Sequence, residues 1–111
     1  IELVMAAAHL EDHLADADLV LTAEGSLDAQ TLLGKTPYGV AQAAARHGVP
    51  VIAFGGRVAP SARVLSDHGF AAVVPILTEV TDLPAALRDG PANLEQAVAT
   101  ALRLVALGAQ P

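Results

Sequence analysis

Apolar side chains recur along this chain in two rhythms. Over residues 2–15, Leu3, Val4, Ala7, Leu10 and Leu14 fall at helical spacing with Glu11, Asp12 and His13 between them, which predicts an amphipathic helix. From Asp18 to Thr22 the run Leu19-Val20-Leu21 has no polar alternation, the pattern of a short strand buried on both faces and hence of a parallel sheet. The chain then turns polar and glycine-bearing from Ala23 to Thr36. Thr36-Pro37 supplies an N-cap and a first-turn proline for a helix over about 37–47, which Gly48 stops.

Val49-Pro50-Val51-Ile52-Ala53-Phe54 predicts a second buried strand, Gly55-Gly56-Arg57 its exit loop, and residues 60–68 a helix ended by Gly69. A third strand is expected over 71–77, a short helix over 83–88, and a longer helix opened by Pro91, with Leu94, Val98, Leu102 and Val105 on one face and Gly108 at its close. Strands alternating with helices at this spacing form right-handed βαβ units. The expected fold class is α/β: one domain over 1–111, with a parallel sheet and flanking helices in βαβ units of the Rossmann or flavodoxin-like kind. His47 and His68 each precede a glycine at a helix C-terminus, where a partly positive imidazole complements the helix dipole, so both read as structural.

Composition narrows the function classes. Hydrophobic residues make up 53% of the 111 positions but aromatics only 3%, so the apolar mass is Ala, Val and Leu, suited to close packing of helix on sheet. That much apolar character in a short chain leads us to expect surface that further polypeptide covers, or that drives self-association into a homo-oligomer. The formal charge is −6 with no Lys/Arg cluster, which argues against nucleic acid as a partner. Cysteine is absent, which removes disulfides, thiolate metal sites and Cys nucleophiles and agrees with a cytoplasmic setting. No apolar run reaches the ~18 residues of a membrane span. The chain begins Ile1-Glu2-Leu3, without a basic leader and without Met, from which a fragment with upstream sequence is expected.

Ligands of open parallel sheets bind beyond the carboxyl ends of the strands, where loops converge and helix N-termini present unpaired N–H groups. Three segments qualify: 23–36, 55–60 and 76–82. The first is the richest, with Glu24, Asp28, Gln30, Lys35 and three hydroxyls set among Gly25 and Gly34. Ordinary βα loops run ~2–6 residues. The inventory suits phosphoryl transfer, which needs a carboxylate to take a hydroxyl proton or hold magnesium and cations to balance phosphate charge. The competing structural account has Asp28 capping a short turn, Glu24 solvated and Lys35 paired with either. Gly34-Lys35-Thr36 imitates the end of a phosphate-binding P-loop, but Ala29 stands where that motif needs its first glycine.

The segment Asp18-Leu-Val-Leu-Thr-Ala-Glu-Gly-Ser-Leu-Asp-Ala-Gln-Thr-Leu-Leu-Gly-Lys-Thr-Pro-Tyr-Gly-Val-Ala41 resembles, without a gap, the signature of the bacterial type-1 glycerate kinases, DLVxTGEGRxDxQTxxGKxPxGVA. The later runs Gly48-Val-Pro-Val-Ile-Ala53 with Gly55-Gly56, and His68-Gly-Phe-Ala-Ala-Val-Val-Pro-Ile76, are similar to that family's continuation. The resemblance implies the C-terminal part of a two-domain α/β kinase that uses ATP and Mg2+ to phosphorylate D-glycerate, generally at the 2-hydroxyl, with the N-terminal segment and middle domain lying elsewhere. It implies Asp28 and Lys35 as catalytic residues, the carboxylate acting on the glycerate hydroxyl or on magnesium and the ammonium on phosphate or substrate carboxylate. Glu24, Gly25, Gln30, Thr31 and Gly34 are its substrate- or phosphate-binding positions.

Two positions depart from the signature. Ala23 replaces its glycine, and Ser26 replaces its arginine, removing a fork for an anionic ligand. Arg57, beside the second loop, is either a substitute cation or a solvated surface residue. His9-Leu-Glu-Asp-His13 imitates a helical zinc site but lacks its glutamate and a third acidic ligand, and no dinucleotide-binding glycine fingerprint follows any strand. The reading is therefore part of an ATP-dependent glycerate kinase whose isolated fragment is inactive. The alternative is a non-catalytic α/β module binding a small anion or a protein partner.

Overall fold

A strand whose neighbours on both sides are apolar needs cover on both faces, and the sheet satisfies this with a different element on each. The computed structural model describes residues 3–5, 14–33 and 36–108. Four strands, β1 (Leu3–Met5), β2 (Leu19–Leu27), β3 (Val51–Val58) and β4 (Ala72–Pro75), form one parallel sheet in the order β1-β2-β3-β4. The register pairs Leu3 with Leu19, Val20 with Val51 and Ile52 with Ala72.

Because each strand lies beside its predecessor and the order never reverses, right-handed crossovers put the described connections from β2 to β3 and from β3 to β4 on one face. That face is packed by helix α1 (Thr36–Arg46) and the 3-10 helix Pro60–Asp67, whose Val40, Ala41, Ala44 and Leu65 meet Val20, Val51, Ala53 and Phe70. The alanines of α1 keep its axis close to the strands. The other face, Leu19, Leu21, Ile52 and Phe54, is left to the C-terminal helix α3 (Gly90–Gly108). There Leu94, Ala97, Val98, Ala101, Leu102 and Val105 form the stripe that the spacing in the sequence predicts, but most of it is only half-buried. A short helix α2 (Leu83–Arg88), capped by the Asp82 carboxylate on the Ala85 N–H at 2.8 Å, leads into α3.

At the end of α1 the chain turns through Gly48, at φ 68°, a conformation that favours glycine. The Val49 N–H reaches back to the Ala44 carbonyl at 2.9 Å and the Gly48 N–H to Ala45 at 3.1 Å, closing the helix with a Schellman motif before β3 begins.

Two expectations from the sequence need correction. The spacing over 2–15 predicts one helix, but Leu3–Met5 is a strand pairing with β2; residues 6–13 lie outside the described residues, and Leu14 is helical and buried. Three consecutive apolar residues satisfy either periodicity, and the open edge of β2 decides between them. The loops expected over 23–36 and at Gly55-Gly56-Arg57 are shorter, because residues 23–27 continue β2 and residues 55–58 continue β3. Most of these residues are small or polar and exposed, so they look like loop, yet ladder pairing between β2 and β3 holds them in strand.

Leu65 is 0% exposed and Leu104 is 64% exposed, so the two leucines separate core packing from surface. Leu65→Ala is expected to lower the unfolding free energy of the chain by about 2–5 kcal/mol and Leu104→Ala by less than about 0.5 kcal/mol, read from urea midpoints.

Candidate active site at the carboxyl edge of the sheet

β4 pairs with β3 as far as Gly55, which lies beside Glu24 on its other side, and beyond it the β2–β3 pair continues as a two-stranded ribbon, with Ser26 beside Arg57 and Leu27 beside Val58. Strict alternation puts residues an odd number of positions apart on opposite faces. Yet Val20 and Leu27 enter the same apolar core, as do Ala53 and Val58. Both strands therefore switch faces together, and they do so at Gly25 and Gly56. A Cβ on Gly56 would lie 2.8 Å from the Gly25 carbonyl oxygen, so the backbones cross at a distance that only glycine allows. The switch sends Leu27 and Val58 down under the 3-10 helix and turns Ser26 and Arg57 toward the α3 side.

On that side a groove of about 870 Å3 opens at the carboxyl edge. Its β2–β3 wall carries Ala23, Glu24, Gly25, Ser26, Gly56 and Arg57, and Phe54 lies at its floor. Ile76 and Leu77 from the exit of β4, Leu83 and Leu87 of α2 and Leu94 of α3 make the rest largely apolar, with Thr81 and Asp82 at the rim. All three segments expected to hold ligand thus meet in one place. Among the described residues the charged groups of the lining are Glu24, Arg57 and Asp82, and the last has one carboxylate oxygen engaged in the α2 cap. Outside the groove, Arg88 and Asp89 form an exposed ion pair at 3.2 Å; the hydrogen bond to Asp89 raises the guanidinium pKa, and Arg88 in turn holds the Asp89 carboxyl below its usual value.

The other expected site residues lie on the turn that follows. Asp28 caps the 3-10 helix Ala29–Leu32: its Oδ1 accepts from the Gln30 N–H at 2.8 Å, while its own N–H donates to the buried Thr31 hydroxyl at 3.2 Å. The Ala29 N–H donates to Ser61 Oγ at 3.2 Å, tying this turn to the 3-10 helix after β3. Of the two accounts open to Asp28 from the sequence, capping is what its carboxylate does here. Gln30 is exposed. Gly34 and Lys35 lie outside the described residues, as do His9 and His13. The structure thus brings Glu24 and Gly25 into the groove and sets Asp28, Gln30 and Thr31 on the adjoining turn.

The groove also has members that sequence reasoning misses, among them Phe54, Leu83 and Leu87. Arg57, which the sequence leaves between substitute cation and surface residue, belongs to the lining; the signal that places it is Gly55-Gly56, which matches Gly25 on the neighbouring strand. Among the described residues no group of three or more His, Asp or Glu side chains is placed to hold a metal by itself. Mg2+ takes one or two carboxylates and completes its shell with phosphate and water, and Glu24 in the groove wall offers one.

The model of the glycerate kinase family matches residues 1–106. The chain belongs to the glycerate kinase family. It is 42% identical over 106 residues to a glycerate kinase of Haemophilus influenzae, covering 96% of this chain and 28% of the relative. To the glycerate 2-kinase of Escherichia coli it is 37% identical over 108 residues, 97% of this chain and 28% of that one. The crystal structure of a protein described as glycerate kinase 2 from Salmonella typhimurium LT2 superposes with a TM-score of 0.61 at 40% identity, covering 92% of this chain and 26% of that chain. The present chain therefore spans about a quarter of the length of these glycerate kinases and corresponds to a piece of their α/β fold.

The glycine crossing is open to test by a matched pair of substitutions. Gly56→Ala is expected to cost about 1–3 kcal/mol, because its methyl meets backbone rather than a side chain that can move. Gly39→Ala, in α1 where an added methyl meets nothing within 4 Å, is expected to gain about 0.5–1 kcal/mol. Thermal unfolding of the two variants against wild type reads both signs.

Proposed function

We propose that this chain forms one wall of the active site of an ATP-dependent kinase that phosphorylates D-glycerate. The observation that carries the reading is the family match over residues 1–106, together with a groove at the carboxyl edge of the sheet whose wall includes Glu24 and Gly25 of the signature segment. The glycerate hydroxyl oxygen attacks the γ-phosphorus of ATP, the bond from that phosphorus to the ADP oxygen breaks, and the hydroxyl proton passes to a carboxylate. In this reading Asp28 takes that proton and Lys35 balances phosphate or substrate carboxylate charge. Glu24 and Gln30 orient ligand, and Gly25, Thr31 and Gly34 shape the rim. Mg2+, when bound with the nucleotide, would supply charge neutralisation at the phosphates, and Glu24 would help to hold it. Attack from the 2-hydroxyl gives 2-phosphoglycerate, in line with the relative named as a glycerate 2-kinase.

The remaining three quarters of the relatives' length supply the rest of the site in this reading, including the domain that closes over the groove. Exposed Leu83, Leu87, Leu104 and Leu107 mark surface for that polypeptide or for a second copy. ATP as phosphoryl donor suits a cytoplasmic protein, and no described helix is long and apolar enough to cross a membrane. The second reading, a non-catalytic anion- or protein-binding module, draws its support from the engagement of Asp28 and Thr31 in a cap.

The test is ADP release with D-glycerate and ATP by the polypeptide of the whole reading frame and by the 111-residue chain alone. Turnover is expected for the first and none for the second; turnover by the isolated chain would refute the need for a second domain. Asparagine caps helices as well as aspartate but takes no proton. Asp28→Asn is therefore expected to lower kcat by about 10²–10⁴-fold with the thermal midpoint unchanged. An unaltered kcat removes Asp28 from the chemistry.

A further inference from the structure

We infer that Arg57 is the anion-reading residue of the groove, acting jointly with the Ser26 hydroxyl beside it on the neighbouring strand. This rests on the kinase reading above and extends it to a residue on which that reading does not draw. Three observations carry it. The β2–β3 register sets Arg57 and Ser26 side by side, so their side chains leave the same face of the ribbon about 5 Å apart. The face switch at Gly25 and Gly56 makes that face the groove side, since Leu27 and Val58, the next pair along, go to the opposite core. Arg57 is also the one cationic side chain lining the groove among the described residues, in a chain whose net charge is −6.

A strand position held between two ladder pairs aims a guanidinium more narrowly than a loop does, and a guanidinium forks onto two oxygens of a carboxylate or phosphate. The groove's other charges, Glu24 and Asp82, repel an anion, so any oxyanion entering it is drawn to Arg57. Serine at position 26 has the second part: it leaves room for the guanidinium and offers a hydroxyl donor to the same oxyanion. The chain departs from the family signature at this position, where the signature has arginine. The register explains how the departure is tolerated: a cation on either strand reaches the same point in the groove.

The test uses the polypeptide of the whole reading frame. Arg57→Ala is expected to raise one KM by about 10–100-fold, the loss of a charge-assisted contact, with the thermal midpoint unchanged. A rise in KM for D-glycerate identifies the oxyanion as the substrate carboxylate, and a rise in KM for ATP identifies it as phosphate. Exchanging the residues in a double variant, Ser26→Arg with Arg57→Ser, is expected to return that KM to within about threefold of wild type, while Arg57→Ser alone does not. Unchanged KM values for both substrates in Arg57→Ala, or a double variant no better than Arg57→Ser, overturn the inference. If the wild type shows no turnover, the kinase reading fails by itself, and calorimetric titration with D-glycerate and with inorganic tripolyphosphate then decides this one. Binding of either anion that is lost in Arg57→Ala upholds it. Binding unaffected by the substitution, or absent from wild type, sinks it.

Discussion

The pairing of β2 with β3 is the constraint on which everything else hangs. These are the two central strands; each has apolar neighbours above and below, and their ladder continues past the sheet's core as a ribbon. Inside the core the pairing creates the two apolar faces that α1 and α3 cover. Past the core it sets the spacing of Glu24, Ser26 and Arg57. Packing and site geometry are thus two ends of one set of hydrogen bonds, and the glycines at the crossing are where the first purpose gives way to the second.

The turn after the ribbon shows a second economy. The Asp28 carboxylate and the Thr31 hydroxyl are consumed in capping Ala29–Leu32, and Ser61 ties that turn to the 3-10 helix Pro60–Asp67. Residue types that suit phosphoryl transfer are the same types that cap helices, because both tasks need short oxygen-bearing side chains next to backbone N–H groups. A carboxylate at an N-cap still has a second oxygen, so capping and proton transfer are compatible demands on Asp28.

How much is legible in the sequence follows from how local each signal is. The strand through residues 51–54 and the helix that begins at Thr36-Pro37 stand out because burial on both faces and a first-turn proline each need only neighbouring residues to be read. The long helix through Leu94, Val98, Leu102 and Val105 is equally plain. The strand at Leu3–Met5 is not, since three apolar residues acquire strand character only from the partner edge they meet. Ala23–Leu27 misleads for the complementary reason: exposure makes it look like loop, while its order comes from β3. The same blindness hides Arg57 among surface residues, because its neighbour Ser26 is distant in the chain and adjacent only across the ladder. The family resemblance identifies the motif positions without revealing that Glu24 and Asp28 part company, one to the groove and one to the cap.

The unbroken strand order has an implication for how such a chain can be extended. With the β2–β3 and β3–β4 crossovers on one side, anything lengthened in them grows on the side of α1 and leaves the α3 side undisturbed. Material that is to lie over the α3 side must instead arrive from before the first strand or after the last. A fold wound in one direction thus offers one surface to variation in its loops and reserves the other for neighbours joined at its ends.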